Sequence, residues 1–543
     1  MSQEYSTSPD GERFPLPSEG DYEIELQRLE KLVEINRARG REIVVVLGMG
    51  FVGAVMAAVI ADSTDEAGNS GKFVIGVQRP STRSYWKIHL LNRGLAPMKS
   101  EDPEVPEIIH RCVKDKETLT VSYTYKALTL ADIVVVDVQC DYVKKSLKDV
   151  STGYVQMEDL EKALEITGEL IPPEALVLIE TTVPPGTTEQ VAYPLIKKAF
   201  HKRGLESEPI IAHSYERVMP GANYVASIRN FWRVCSGINT ESRERVVKFL
   251  SQVIDTKNHP LTVLDRPIES ETAKIVENSY RATILGFLNE WSLFAERNGV
   301  DLIKVIDAIK VRPTHSNIIF PGPGIGGYCL PKDGGLAVWA YKHLMGFEDE
   351  LFKVTPLAIN VNDTRSLHVP ELCRDALRNM GRYIAASRVT LLGASYREDV
   401  GDTRYSGSEV IVRRLVEMGA DVCVHDPYVD HWWEFEVQDT YPAPGTSRAQ
   451  FFRGQKKLTS LRVEPDLWQA LKGADVMILA VRHKQFKDLD PDRVVQAVGE
   501  PLAVIDCFGL LNDAKIRRYF ELGCEVKGLG RGHINRLKKL YKK

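Results

Sequence analysis

None of the eight cysteines is followed three residues later by another, so the chain lacks the CxxC pairs of structural zinc sites and thioredoxin-type redox motifs. No metal is expected. The first twenty residues are polar, with Pro, Ser, Asp and Glu, and hold no apolar core of the kind a secretory leader needs. Scattered cysteines and the lack of a leader together imply a reducing, cytoplasmic compartment. Charge of one sign is missing too. A total of 70 Lys and Arg against 74 Asp and Glu leaves a formal net charge of −4, which argues against nucleic acid or an anionic membrane as partner. The basic run from Arg536 to Lys543 reads as a solvated helix end. One apolar run, Ile43 to Ile60, comes near the lower limit for a membrane span. It contains Gly48, Gly50 and Gly53 and begins with β-branched residues, the order of a buried strand, a tight turn and a helix.

What is present is ordinary globular composition: 43% hydrophobic and 27% charged residues over 543 positions, enough for two to four domains. Residues 1–20 read as disordered, and 21–40 as an amphipathic helix ending at Gly40. From Glu42 onward, candidate strands at 43–48, 73–77, 132–138, 176–181 and 209–213 alternate with helical stretches, notably 158–170 and 188–203. This pattern predicts a parallel sheet covered on both faces. Residues 268–311 carry almost no turn signal before Asn298-Gly299 and read as one or two long helices. A loop rich in Pro and Gly follows at 313–335. Strand–helix alternation returns over 386–543, a second α/β domain with a helix at 408–418. There is no internal repeat.

Gly48-Met49-Gly50-Phe51-Val52-Gly53 follows a strand and opens a helix. In that context the glycines allow a tight turn and close approach of backbone to a pyrophosphate, and the helix N-terminus offers unpaired N–H groups. The acidic residue that should end the second strand and bind the ribose hydroxyls is replaced by Gln78, which can still hydrogen-bond a ribose. The adjacent Arg79 favours a 2′-phosphate, so NAD and NADP both remain open. The long interval between Gly53 and Gln78 predicts an inserted loop near 63–72.

The segment from Pro321 to Asp333 (PGPGIGGYCLPKD) places Cys329 after two glycines, where backbone N–H groups can surround the sulfur, with Lys332 three residues on. Both features favour thiolate over thiol, and Asp333 could position or deprotonate a water. Such a cysteine suits oxidation of an alcohol all the way to a carboxylate. An aldehyde is a poor hydride donor until a nucleophile adds to its carbonyl. A thiohemiacetal donates hydride readily, becomes a thioester and is then hydrolysed. Lys274 and Asn278, four residues apart on the long helix, project from one face and could stabilise a developing oxyanion.

Taken together, GMGFVG, ETTVPPGTT (180–188), SYERVMPG (214–221), ETAKIVEN (271–278), the cysteine loop and GASYREDVGDTRYSGS (393–408) resemble the UDP-glucose/GDP-mannose dehydrogenase family over about residues 42 to 530. The resemblance implies an α/β protein with two Rossmann-like doubly wound domains joined by a central long-helix dimerisation domain. The expected boundaries are 1–40 for an N-terminal extension, 41–265 for the NAD-binding domain, 266–385 for the helical domain carrying the cysteine loop, and 386–543 for the nucleotide-sugar domain. By the same resemblance Cys329 is the nucleophile, Lys274 stabilises the reacting oxygen, Asn278 and Asp333 assist, Thr182 and Asp333 lie near the hydrolytic water, and Glu216 is the acid/base glutamate. The cofactor would meet Gly48, Gly50, Phe51, Val52, Gly53, Gln78, Arg79, Thr182 and Lys332. The sugar nucleotide would meet Glu216, Arg217, Lys274, Asn278, Arg312, Gly326, Gly327 and Arg404. An arginine suits a diphosphate through its paired donors. In this family such an arginine can come from a neighbouring subunit, so a homodimer or higher oligomer is expected.

ERVMPG, PGPGIGGYC and AVRHKQFK (480–487) are most similar to the branch acting on UDP-N-acetylhexosamines. Three positions depart from the family pattern: Tyr215 stands where the family has Pro, Val138-Gln139-Cys140-Asp141 replaces a VPTP-like turn, and Gln78 replaces the acidic ribose ligand. Other readings stay open at this point: a UDP-glucose 6-dehydrogenase, a two-electron β-hydroxyacid dehydrogenase, or a nucleotide-sugar-binding protein without catalysis. The two-electron reading needs neither the cysteine nor the second α/β domain.

Overall fold

A computed structural model describes residues 3–436 and 447–541. The last two residues of the basic end, Lys542 and Lys543, lie outside the described residues, and Arg536 falls in the helix His533–Tyr541. The chain divides into two compact units. The first holds the residues up to Tyr142 with Val155–Val276 and Trp339–Glu348; the second holds Val143–Tyr154, Glu277–Val338 and the chain from Asp349 onward.

The first unit is built on an eight-stranded sheet. Its spatial order is Thr262–Val263, Val234–Gly237, Ile210–Tyr215, Leu176–Ile179, Ile133–Val136, Glu42–Leu47, Lys72–Val77 and Leu119–Ser122. All neighbours are parallel except Ile210–Tyr215 with Val234–Gly237. The first six strands in chain order therefore lie 3-2-1-4-5-6, the doubly wound dinucleotide-binding topology. The apolar run resolves as read: strand Glu42–Leu47, then helix Phe51–Asp62, in which every residue from Gly53 to Ala61 is buried. It is apolar all round because it is packed all round. Among the described residues no helix is long and apolar enough to cross a membrane. The inserted loop is a tight one, closed by an antiparallel bridge between Thr64 and Ser70.

Disorder at 1–20 is not what the described residues show. Tyr5–Thr7 pairs antiparallel with Arg13–Pro15, and the helix that follows runs over Glu19–Ala38. The hairpin buries Ser6 and Phe14. One buried apolar side chain between two three-residue strands leaves no periodicity to read, so only tertiary packing reveals it.

The second unit carries a five-stranded, all-parallel sheet in the order Asp421–His425, Arg388–Leu392, Val476–Leu479, Ala503–Asp506, Glu525–Gly528, or 2-1-3-4-5 in chain order. Adjacent residues such as Leu391 and Leu392, or Met477 and Ile478, face opposite sides and feed two separate apolar cores, as the period of two requires. The expectation of two doubly wound α/β sheets holds. Between them in sequence lies the 32-residue helix Pro267–Asn298, followed by Leu302–Lys310, which is capped by Asp301.

Candidate active site

In the first unit the strand order reverses between Glu42–Leu47 and Ile133–Val136, the place where an open α/β sheet receives its ligand. The glycine turn lies at the carboxyl end of the first of these strands. Gly48 has φ +96°, and a Cβ there would stand 2.6 Å from the Asp137 carbonyl oxygen. A Cβ on Gly53 would come within 1.9 Å of the Gly48 oxygen. Gly50 caps the helix Phe51–Asp62, and a Cβ there would meet nothing within 4 Å. The two outer glycines thus let strand and helix close up, while the middle one leaves a bare, open backbone at a helix N-terminus, which suits a pyrophosphate. The cofactor's phosphates fit these residues.

The Phe51 ring stacks on Tyr224 with 5.0 Å between centroids, and Tyr224 donates to the Phe51 carbonyl at 2.6 Å. Val52 is half-buried. Gln78 accepts from the Met49 N–H through Oε1 at 3.1 Å and donates through Nε2 to Ser84 Oγ at 3.2 Å, bracing the turn from the next strand. Arg79 pairs with Asp159 at 3.0 Å, both largely exposed.

Acidic side chains unrecognised in the sequence stand at the carboxyl ends of neighbouring strands. Glu180 is fully buried and ion-paired with buried Arg233. Asp137 has a buried Oδ2 without a hydrogen-bond partner. Burial first, then the Glu180 and Glu216 carboxylates, push the Asp137 carboxyl well above the usual range. Lys274 is 7% exposed. Its ammonium donates to the Glu216 carbonyl at 2.7 Å, lies 3.6 Å from Glu216 Oε1 and sits over the Tyr215 ring at 5.3 Å. Glu216 Oε2 accepts from the Val218 N–H. Arg217 donates to the Trp232 carbonyl at 2.7 Å and to the Tyr215 hydroxyl at 3.2 Å. Burial, with the Lys274 charge, drives the His213 pKa down to about 3, so this imidazole is neutral. The signal that could have found the acidic pair is an Asp or Glu immediately after a buried parallel strand.

Half-buried Thr182 lies in the loop after Leu176–Ile179. That loop is held by Glu271, one turn before Lys274, which accepts from the Gly186 N–H at 2.6 Å, the Thr188 N–H at 2.8 Å and the Thr188 hydroxyl at 2.6 Å. Burial outweighs these donors and raises its pKa from 4.5 to about 7. The folded protein then binds a proton that the unfolded chain has released between those values, so stability falls as pH rises through that window. Replacing Glu271 with Gln is expected to remove about 3 kcal/mol of that decline, seen by comparing urea unfolding of the two proteins at about pH 5 and about pH 8.

In the second unit the cysteine loop lies on the 395–407 segment. A Cβ on Gly326 would stand 2.5 Å from Tyr396 Cβ; one on Gly327, where φ is +84°, would stand 3.1 Å from the Tyr396 ring. These glycines are demanded by packing. The Gly327 N–H donates to the Arg404 carbonyl at 2.8 Å, so it does not face the sulfur as the sequence suggested. Cys329 is half-buried, and its carbonyl accepts from the N–H groups of Lys332 and Asp333 where the helix Asp333–His343 begins. None of the eight cysteines forms a disulfide. Asp333 is fully buried and doubly held: Oδ1 accepts from Lys332 Nζ at 2.9 Å and Oδ2 from Asn278 Nδ2 at 2.7 Å. Lys332 also lies over the Tyr328 ring at 4.5 Å, and Arg404 at 5.5 Å. Arg404 is gripped by Asp402 through two nitrogens, at 2.9 and 2.6 Å. Arg312 is exposed. The structure thus brings Cys329, Lys332, Asp333, Asn278, Gly326, Gly327 and Arg404 onto one loop system, and Lys274 beside Glu216 in the other unit. Elsewhere Asp301, Asp513 and His533 converge, but Lys304 and Arg531 already balance those carboxylates.

Three successive segments of the chain match one family: residues 42–254 its NAD binding domain, 268–364 its central domain and 390–513 its UDP binding domain. A UDP-N-acetyl-D-mannosamine dehydrogenase of Pyrococcus horikoshii is 25% identical over 493 residues, covering 90% of this chain and all of that one. An NDP-N-acetyl-D-galactosaminuronic acid dehydrogenase of Ralstonia nicotianae is 25% identical, covering 87% of this chain and 96% of its own. The solved structure of an NDP-N-acetyl-D-galactosaminuronic acid dehydrogenase from Methanosarcina mazei superposes with a TM-score of 0.71 at 27% identity, over 93% of this chain and 98% of that one. With its NAD-binding, central and UDP-binding segments in family order across most of its length, the chain belongs to the UDP-glucose/GDP-mannose dehydrogenase family and is an NAD-dependent nucleotide-sugar dehydrogenase.

Proposed function

We propose that this protein oxidises the C6 hydroxyl of a UDP-N-acetylhexosamine to the uronate in two NAD-dependent steps, through a covalent adduct on Cys329. The observation that carries the reading is Asp333, fully buried one turn beyond Cys329 and fixed by Asn278 and Lys332. A lone structural cysteine has no need of a buried, oriented carboxylate at its side. The amino sugar is supported by the names of the relatives, a UDP-N-acetyl-D-mannosamine dehydrogenase and an NDP-N-acetyl-D-galactosaminuronic acid dehydrogenase. NAD, when bound, accepts a hydride in each oxidation. Lys274 stabilises the alkoxide as the first hydride leaves, and Glu216 takes the hydroxyl proton. The Cys329 thiolate adds to the aldehyde carbon. Loss of the second hydride leaves a thioester. A water oriented by Asp333 and Thr182 adds to it, releasing the carboxylate and restoring the thiolate. Arg312, Arg404 and Arg217 contact the sugar nucleotide, and Gly48 to Gly53, Gln78, Arg79 and Lys332 the cofactor side. The matched segments support the division into 41–265, 266–385 and 386–543, and unbridged cysteines support a cytoplasmic setting.

The test is NADH formation with a panel of UDP-sugars, run with NAD and NADP. Turnover with UDP-N-acetylhexosamines and NAD above all others is expected; preference for UDP-glucose overturns the substrate assignment.

The working form is a homodimer. On the second unit's part of the helix Pro267–Asn298, Tyr280, Phe287, Trp291 and Phe294 are 46–57% exposed along one face, an aromatic stripe that a second copy of the same helix would cover. Trp291→Glu is expected to shift the species seen by light scattering to half its mass.

A further inference from the structure

We propose that the hairpin Tyr5–Pro15 is part of the NAD site: a clasp that holds the loop receiving the adenosine ribose, with Ser6 as its positioning residue. The segment matched to the NAD binding domain begins at residue 42, so the hairpin lies outside it. Ser6 is fully buried. Its hydroxyl donates to the Thr82 carbonyl at 2.8 Å and accepts from the Trp86 N–H at 3.2 Å, closing over the segment 79–86. Phe14 stacks on His89 with centroids 4.4 Å apart and planes 9° from parallel. Glu12 grips Arg93 with two bonds, at 2.9 and 2.6 Å.

What the hairpin holds is continuous with the cofactor turn. Ser84 Oγ donates to the Arg79 carbonyl at 3.1 Å and accepts from Gln78 Nε2 at 3.2 Å. Gln78 in turn holds the Met49 N–H between Gly48 and Gly50. In this topology the end of the second strand, here Gln78, is where the adenosine ribose binds. A loop that must be ordered to bind costs affinity unless it is ordered beforehand. The hairpin supplies that order, in a chain whose ribose position carries an amide in place of a carboxylate.

The experiment is Ser6→Ala in the full chain, which removes the hydroxyl and with it both bonds, and adds no bulk to the buried site. The dissociation constant for NADH, followed by its fluorescence, is expected to rise about three- to tenfold, the scale of one or two ordinary hydrogen bonds. The constant for UDP is expected to stay within about twofold, and kcat at saturating NAD likewise. An unchanged NADH constant, or NADH and UDP constants rising together, overturns the proposal. Hydrogen exchange on the unaltered protein gives a second reading. NADH, and not UDP, is expected to raise protection of residues 3–16 along with 78–86, because a clasp that favours the cofactor must be favoured by it. Protection confined to 78–86 contradicts the clasp.

Discussion

Replacing Cys329 with Ser is expected to lower the rate of uronate formation at least about a thousandfold while leaving the dissociation constant for UDP within about threefold. A serine hydroxyl at this position would have to lose a proton that a thiol gives up far more easily. The aldehyde then lacks the nucleophile that turns it into a hydride donor. The backbone bonds that hold the loop should survive the change, because they are made by main-chain groups. The Cys329 carbonyl receives the N–H groups of Lys332 and Asp333, and Gly327 is tied to Arg404. Quenched-flow measurement of NADH and uronate in the same samples checks it. Uronate formation at the unaltered rate would show that the second oxidation needs no covalent adduct.

Lys274→Ala is expected to reduce kcat by about a hundred- to a thousandfold with KM for the sugar nucleotide changed by less than about threefold. Its ammonium is held by the Glu216 carbonyl and lies near that residue's carboxylate over the Tyr215 ring. A charge fixed in place before the reaction stabilises a developing alkoxide without reorganising. Its attraction for a neutral hydroxyl in the ground state is slight, so the loss should fall on the transition state. Neutral His213 beneath it, held by a 2.6 Å bond to Ser270, contributes no competing charge. An effect on KM alone, with kcat intact, would assign Lys274 to binding.

Much of the fold could be read from the sequence because its signals are local. The β-branched runs at 43–47 and 133–136 and the glycines at 48, 50 and 53 each obey a steric requirement set by near neighbours. The strands Leu119–Ser122, Val234–Gly237 and Glu525–Gly528 carry no such local signal. Each is four residues long, with Thr, Ser, Lys or Gly in place of an apolar run, and each becomes a strand by pairing with a sheet already formed. The N-terminal hairpin is illegible in the sequence for the same reason. The site divides along the same line. Cys329, Lys332 and Asp333 are neighbours in sequence and announce themselves together. Glu180 and Arg233 are 53 residues apart, and Glu271 meets its loop across 83 to 85 residues. Only strand order and helix packing bring these together. Gly326 and Gly327 also meet a steric demand the sequence does not display: they let the loop lie on Tyr396 and Arg404, and the Gly327 N–H is spent on Arg404 and not on the sulfur.

The covalent four-electron route stands or falls on a count of NADH against product. With one UDP-N-acetylhexosamine consumed, the protein should release two NADH and one uronate, with no free aldehyde trapped by added hydroxylamine. One NADH per sugar, with the aldehyde captured in solution, would contradict it.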